Sequence, residues 1–239
     1  LYRAVQAVHR RHDLGSGEVK LPRGLIVSCQ ARADNPLHGP QFMTAMALAA
    51  RDGGAVAIRA NGPEDIEAVK AASLPVIGIH KVFSPAYPVY ITPHFAAAEA
   101  IVAAGADVVA LDCTTRPRDG EPPQVLVRRI REELGAKVFA DVSALEEGLA
   151  AADWGADYVA TTLSGYTEAT QPRPETPDLT LLETLAARLP VPVIAEGRYN
   201  TPHLVRQAFD AGAHAVVVGT MITNPREITR MFVREGLTS

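Results

Sequence analysis

A repeated unit along the chain limits the folds that it can adopt. In four segments, a Gly that can end a helix is followed by a short turn and an apolar strand. These segments are residues 53–59, 105–112, 155–161 and 212–219. Because each unit couples the end of a helix to the start of a strand, the repeat predicts strands that alternate with helices and pair in parallel.

Four further apolar runs complete a set of eight predicted strands, at residues 25–30, 76–80, 137–141 and 192–196. Helical patterns separate the strands, at residues 40–51, 63–72, 93–104, 124–134, 144–154, 179–189, 202–211 and 225–233. Eight such units predict an α/β fold, a closed (β/α)8 TIM barrel. No linker divides the chain, so we expect one domain over residues 1–239. Leu1, Val5 and Val8 have helical spacing, and residues 1–20 are expected to form an extra helix that covers the barrel floor.

Composition excludes several classes of partner. The net charge of −4 argues against nucleic acid as the main ligand. The longest apolar stretches have the length of strands, so no membrane span is predicted. Charged residues interrupt the first 20 positions, which therefore cannot be the apolar core of a secretory signal. Two cysteines, Cys29 and Cys113, fit a reducing cytosol. We expect a cytoplasmic protein.

Ionisable residues end two of the buried strands. Residues 74–81 read Leu-Pro-Val-Ile-Gly-Ile-His-Lys, and residues 191–198 read Val-Pro-Val-Ile-Ala-Glu-Gly-Arg. A strand buried on both faces is normally a continuous apolar run, so a charge at its end needs an explanation. In one barrel both strand ends would face the same mouth. Lys81 and Glu196 are therefore the candidate base and acid.

The remaining predicted strands also end on groups that can bind a polar ligand or approach it closely. They are Gln30, Arg59, Asp112, Asp141, Thr161 or Thr162, and Gly219. A single polar residue at a strand end is common, but polar residues at the ends of so many strands together favour a polar binding site.

The segments after the seventh and eighth strands predict a phosphate site. Free backbone N–H groups at these two positions are the usual phosphate-binding feature of a barrel. Gly197 and Arg198 follow the seventh strand, and Gly219 and Thr220 follow the eighth. Ordinary helix capping is the alternative explanation for these residues.

Metal binding is not expected from this sequence. The histidines are dispersed and show no paired ligand spacing, so we predict no metal and no cofactor. A proton-transfer pair of Cys29 and Cys113 is a weaker alternative, because Cys is commonly a small buried residue. Strand alternation also gives the positions facing the mouth to Gln30 and Asp112.

Several motifs resemble the N-acetylmannosamine-6-phosphate 2-epimerases of sialic acid breakdown, over residues 25–232. The motifs are Ile-Val-Ser-Cys-Gln at 26–30, Ala-Ile-Arg-Ala at 57–60, Gly-Ile-His-Lys at 78–81, Tyr-Ile-Thr-Pro at 90–93, Ala-Leu-Asp at 110–112, Ala-Asp-Val-Ser at 140–143, Thr-Thr-Leu-Ser-Gly-Tyr-Thr at 161–167, Glu-Gly-Arg at 196–198 and Ile-Thr at 222–223. The resemblance implies a barrel isomerase that acts on an amino sugar phosphate without a cofactor. Thr220 departs from it, since relatives usually carry Gly or Ser there.

The resemblance also implies a role for each site residue. Lys81 and Glu196 correspond to the catalytic pair. The expected substrate-binding residues are Gln30, Arg59, Asp141, Thr162 and Gly165, and the expected phosphate-binding residues are Gly197, Arg198, Gly219 and Thr220.

The chemistry of C2 inversion fits these residues. Removal of the C2 hydrogen of an open-chain 2-acetamido aldose gives an enolate, and a proton returned to the opposite face inverts C2. This needs a base, an acid and a donor for the C1 oxygen. A lysine is a base only when neutral, and burial together with the charge of Arg59 would lower the pKa of Lys81.

Two other functions are open at this stage. Lys81 could form a Schiff base, as in a class I aldolase that cleaves a sugar acid phosphate. The chain could also be a sugar-phosphate sensor without catalysis. We expect no nucleic acid or membrane partner, and a homodimer is left open because the sequence does not fix the oligomeric state.

Overall fold

Eight parallel strands close into one barrel in sequence order. The structure is a computed structural model that describes residues 20–237. The strands are β1 Gly24–Cys29, β2 Ala57–Asn61, β3 Val76–Ile79, β4 Val108–Asp112, β5 Lys137–Asp141, β6 Tyr158–Ala160, β7 Val193–Glu196 and β8 Ala215–Val218. Each strand pairs with the next, and β8 pairs with β1. The predicted (β/α)8 barrel is therefore confirmed, whereas the predicted helix at 1–20 lies, except for Lys20, outside the described residues.

Helices follow the strands around the barrel. They are α1 Pro40–Asp52, α2 Pro63–Val69, α3 Phe95–Ala103, α4 Pro123–Leu134, α5 Leu145–Asp153, α6 Leu179–Arg188, α7 Pro202–Asp210, α8 Thr220–Thr223 and α9 Pro225–Leu237. Pro lies in the first turn of α1, α2, α4 and α7, where its missing N–H costs no hydrogen bond. The sequence did not predict α8, because four residues are too few to display a helical period.

The repeated Gly-Ala-Asp turns have a structural cause. Gly105 and Gly155 adopt φ values of 95° and 99°, which L side chains rarely reach. The aspartate two residues later accepts a hydrogen bond from a backbone N–H at the start of the preceding strand, within its first two residues. The Oδ2 atom of Asp107 lies 2.8 Å from the nitrogen of Val76, and Asp157 repeats this contact at 2.8 Å with β5. Each repeat therefore joins its own strand to the preceding strand.

Two apolar clusters hold the barrel together. One lies between the strands and the surrounding helices, and the other fills the barrel interior. Interior residues such as Ile26, Phe139 and Ile194 are fully buried. Leu21 is also buried among them, and its N–H donates to the hydroxyl of Tyr158 at 2.9 Å at the start of β6. The interior is thus a packed core, and a ligand can bind only at the mouth.

A short arm leaves the barrel after β3 and returns antiparallel to itself. Lys81 pairs with Ile91 in an isolated antiparallel bridge. The N–H of Asp112 donates to the carbonyl of Ile91 at 3.1 Å, and the hydroxyl of Thr92 donates to the carbonyl of Ala110 at 2.6 Å. Since β3 and β4 pair at only two positions, the arm fills the gap between their ends. The backbone of Lys81 is consequently held in place by the returning segment of the arm.

The helices between residues 20 and 237 are too short or too polar to cross a lipid bilayer.

Candidate active site

A buried ion-pair cluster occupies the centre of the barrel mouth. The Arg59 guanidinium donates to both carboxylate oxygens of Asp141, at 3.0 and 2.6 Å. The same guanidinium donates to Glu196 Oε2 at 2.8 Å. The Thr162 hydroxyl lies between the two acids, 2.6 Å from Asp141 and 3.2 Å from Glu196. Four of the predicted site residues, from three strands and one loop, therefore form a single network.

Burial differs within this cluster. The side chains of Arg59 and Asp141 are 1% and 0% exposed, whereas Glu196 retains 15% exposure. Arg59 also lies over the ring of Phe139, 5.1 Å from its centroid. Glu196 is thus the member of the cluster that a ligand at the mouth can reach, and Arg59 supports it from below.

The environment shifts the pKa of both partners in the ion pair. Burial raises the pKa of Glu196 to about 7, although the positive charge of Arg59 opposes the rise and the charge of Asp141 adds to it. Burial also disfavours the charged form of Arg59, but its two carboxylate partners outweigh this effect and raise its pKa. Near neutral pH, Glu196 can therefore exchange a proton while Arg59 stays charged.

Lys81 faces the same mouth from the other side. Its Nζ donates to Gln30 Oε1 at 2.7 Å, and its backbone N–H donates to Asn61 Oδ1 at 2.9 Å. Burial and, to a smaller extent, the charge of Arg59 lower the pKa of Lys81 to about 8, although the charge of Glu196 opposes both. Roughly a tenth of Lys81 is neutral at pH 7, which supplies a usable base.

The predicted phosphate residues lie on the segments after β7 and β8. Gly197 and Arg198 both adopt positive φ, 107° and 65°, so the chain turns sharply after β7. The Arg198 guanidinium donates to the carbonyls of Thr176 and Ser164, each at 2.8 Å. Two of its three nitrogens therefore already bind the loop after β6, which leaves one for a ligand.

Gly219 and Thr220 lie where β8 passes into α8. Gly219 precedes the helix, and Thr220 is its first residue. A side chain on Gly219 would meet Ser28 of β1 at 3.3 Å, so the backbone passes close to β1 here. This short additional helix after the eighth strand is the element that commonly binds phosphate in barrels.

Gly165 and Asp112 also lie outside the Arg59 network. The N–H of Gly165 donates to the Thr170 hydroxyl at 2.9 Å, within the loop after β6. Asp112 is fully buried, and its carboxylate binds Arg116 and Arg118 of the following loop. Asp112 ends its strand as predicted, but it anchors that loop and makes no direct bond to the Arg59 cluster.

Sequence reasoning missed two residues near Lys81. Asn61 accepts the backbone N–H of Lys81, and its position at the end of β2 could have indicated this. Tyr90 belongs to the Tyr-Ile-Thr-Pro motif at residues 90–93, which by itself predicts no role for its hydroxyl. Its ring packs against the barrel interior and stacks on Phe83, with ring centroids 5.0 Å apart.

The environment of the cysteines does not favour thiol chemistry. Burial raises the pKa of Cys29 to about 12, with the charge of Asp65 adding to it. Burial raises the pKa of Cys113 as well. A thiolate at either position is therefore scarce at neutral pH.

No cluster of three or more His, Cys, Asp or Glu side chains that could hold a metal ion occurs in the part of the chain that the structure describes.

Known proteins are similar to this chain over most of its length. The family model described as "Putative N-acetylmannosamine-6-phosphate epimerase" matches residues 43–236. A Synechococcus elongatus protein named "Putative N-acetylmannosamine-6-phosphate 2-epimerase" is 54% identical over 208 residues, which cover 85% of this chain and 89% of that protein. A protein of the same name from Caldanaerobacter subterraneus subsp. tengcongensis is 51% identical over 217 residues, covering 90% and 91%.

A solved structure is similar over nearly the same length. The N-acetylmannosamine-6-phosphate 2-epimerase from Clostridium perfringens has a TM-score of 0.87 and 43% identity, over 90% of this chain and 94% of that chain. The barrel, the match to the family model and identities above one half lead to one conclusion: this chain belongs to the N-acetylmannosamine-6-phosphate 2-epimerase family.

Proposed function

We propose that this protein interconverts N-acetylmannosamine 6-phosphate and N-acetylglucosamine 6-phosphate by inverting C2. Family membership gives the substrate class. The observation that carries the proposal is the pair formed by Lys81, with a pKa of about 8, and Glu196, with a pKa of about 7, at one barrel mouth. A base and an acid that both titrate near neutral pH are what C2 deprotonation and reprotonation require.

Lys81 takes the C2 proton in this mechanism. Its neutral amine removes the hydrogen next to the C1 aldehyde of the open-chain sugar, and the electron pair forms an enolate. Glu196, when protonated, returns a proton to the opposite face of C2. Gln30 accepts a hydrogen bond from the Lys81 ammonium and holds it in place.

Arg59 and Asp141 act mainly through Glu196. Both are sealed from solvent, so their contribution is to fix the position and the pKa of that acid. Thr162 is half-buried at the mouth, and it and Gly165 of the loop after β6 are proposed to contact the sugar. This assignment refines the substrate-binding role that the resemblance implied for Arg59 and Asp141.

The phosphate is proposed to bind at the segments after β7 and β8. Arg198 supplies one unoccupied nitrogen, and the backbone N–H groups of Gly197, Gly219 and Thr220 supply the remaining donors. In this proposal the phosphate lies at one side of the mouth and the C1 end of the sugar lies near Lys81.

The pathway and the setting of the enzyme follow from the substrate. We propose that the protein acts in sialic acid catabolism in the cytoplasm.

A homodimer is part of the proposal, because α9 has no buried residue and exposes Phe232, Val233 and Leu237. Light scattering of the purified protein tests this, and a monomer at micromolar concentration would contradict it.

Proton exchange at C2 tests the reaction itself. N-acetylmannosamine 6-phosphate is incubated with the protein in deuterated water and followed by proton NMR. The expected result is formation of the C2 epimer with deuterium at C2. Absence of both the C2 epimer and deuterium at C2 contradicts the epimerase and favours a sensor.

Treatment with borohydride in the presence of substrate tests the aldolase alternative, because only a Schiff base at Lys81 would be trapped covalently.

A further inference from the structure

We propose that the Tyr90 hydroxyl donates the hydrogen bond that stabilises the C1 oxygen of the sugar while the enolate forms. The inference rests on the proposed epimerase reaction and assigns a residue to a step that Lys81 and Glu196 leave open. Removal of the C2 proton moves negative charge onto O1, and such charge needs a donor already in place.

The backbone places Tyr90 beside the base. The arm after β3 is antiparallel, and the carbonyl of Tyr90 accepts the N–H of Val82 at 2.9 Å. The next residue, Ile91, pairs with Lys81. The Tyr90 ring packs on the interior cluster of the barrel, so the side chain turns toward the mouth and not toward the outer helices. Phe83 stacks on the other side of the ring and limits its movement.

Most other donors near the acids are either engaged or buried. The Arg59 nitrogens that face the acids donate to Asp141 and Glu196, and its Nε has no partner but is buried away from solvent. The Thr162 hydroxyl has one hydrogen and two carboxylate neighbours. The Gln30 amide donates to Ser28. In contrast, no described residue forms a hydrogen bond with the Tyr90 hydroxyl, which is therefore available to a ligand.

The electrostatic surroundings keep this hydroxyl protonated. Burial raises the pKa of Tyr90, the charge of Arg116 opposes this, and the charges of Asp141 and Asp112 add to it. A phenol that stays neutral through the working pH range is a donor at every stage of the reaction.

The proton balance of the step is closed. The C2–H bond breaks, its proton moves to neutral Lys81, and its electron pair forms the C1–C2 double bond while the C1–O1 double bond becomes single. Tyr90 donates a hydrogen bond to O1 and keeps its proton. When a proton returns to C2 from Glu196, the C1–O1 double bond forms again and Tyr90 is unchanged. Lys81 then gives its proton to water and Glu196 takes one from water, which restores both groups for the next turnover.

Replacement of one hydroxyl tests the role. Tyr90→Phe retains the ring that packs on the core and stacks on Phe83, so the fold should persist, and thermal unfolding checks this. Loss of one donor to a developing oxyanion lowers kcat by roughly 10²–10³-fold. We expect kcat to fall at least tenfold with KM within about threefold of wild type, since the bond strengthens in the transition state.

Tyr87→Phe is the matched control. Tyr87 lies on the same arm, is 38% exposed, and loses the same atom. It should keep the wild-type kcat. A Tyr90→Phe protein with less than a tenfold loss in kcat, or with the loss confined to KM, overturns the inference. Wild-type protein that neither epimerises nor exchanges C2 deuterium overturns the proposed function and this role together, whereas an active wild type with an active Tyr90→Phe overturns the Tyr90 role alone.

Discussion

Substitution of Arg59 by Met should destabilise the barrel far more than loss of an exposed arginine. Arg59 is 1% exposed and binds two carboxylates, of which Asp141 is fully buried. Met keeps the apolar volume over Phe139 but removes every donor. Removing one partner of a buried ion pair costs about 3–5 kcal/mol, because the other charge remains buried and unpaired. For a chain of this size, that is a fall in melting temperature of roughly 6–20 °C.

The surface offers a close control in Arg129. It also binds two carboxylates, those of Glu121 and Glu133, and its guanidinium also lies over a ring, that of Phe95. However, its side chain is 31% exposed. Exposed ion pairs contribute little to stability because water screens them, so Arg129→Met should cost far less than Arg59→Met. The comparison isolates burial, since the number of partners and the aromatic contact are similar.

The destabilisation of Arg59→Met should also depend on pH. The pKa of Glu196 is raised from 4.5 to about 7, so its contribution to stability is fully present below 4.5 and is lost as pH rises through 7. Arg59 lowers this pKa, and without it the pKa rises further. The stability deficit of the variant against wild type should therefore grow as pH rises through and above about 7, where Glu196 ionises in wild type but stays protonated in the variant.

Equilibrium urea unfolding at several pH values measures both effects. Wild type, Arg59→Met and Arg129→Met are compared by circular dichroism, with free energies of unfolding from linear extrapolation. The reasoning is refuted if Arg59→Met unfolds within about 1 kcal/mol of Arg129→Met, or if its deficit does not change with pH.

Four further predictions concern activity. Lys81→Ala and Glu196→Gln should each lower the rate of epimerisation by ~10²–10⁴-fold. Lys81→Arg should do the same, because arginine keeps the charge but cannot become a neutral base. A Lys81 variant with activity within tenfold of wild type would remove Lys81 from the mechanism. The pH profile of kcat/KM should be bell-shaped, with limbs near pH 7 and pH 8, because the pKa of Glu196 is raised to about 7 and that of Lys81 is lowered to about 8. A flat profile between pH 6 and 9 would contradict the acid and base roles of these two residues. Arg198→Ala should lower kcat/KM for the phosphosugar by roughly ten- to a hundredfold, mainly through KM, and leave kcat/KM for N-acetylmannosamine nearly unchanged. Arg188→Ala, at an exposed arginine, is the control. Equal losses on both sugars would show that Arg198 does not bind phosphate. Activity should survive exhaustive EDTA treatment, and restoration of a lost activity by a divalent cation would refute the metal-free mechanism.

The sequence by itself determined the barrel and the positions of its polar strand ends. The repeated Gly-Ala-Asp turn and the apolar runs are local patterns, and each can be read without knowledge of its neighbours. Parallel strands in one barrel bring their carboxyl ends to one mouth, so Lys81 and Glu196 could be placed together before any coordinates. Short elements without a period, such as α8 and the arm after β3, gave no comparable signal.

Only the tertiary structure decided how the polar residues share their bonds. Arg59 lies 82 positions from Asp141 and 137 from Glu196, and no local pattern shows that its guanidinium binds both. The same applies to Asp112, which looks like a site residue in sequence but binds the loop after its own strand. The pKa shifts of Lys81 and Glu196 depend on burial and on charges from distant strands. Strand order fixes which residues meet, but depth below the surface fixes which of them can react.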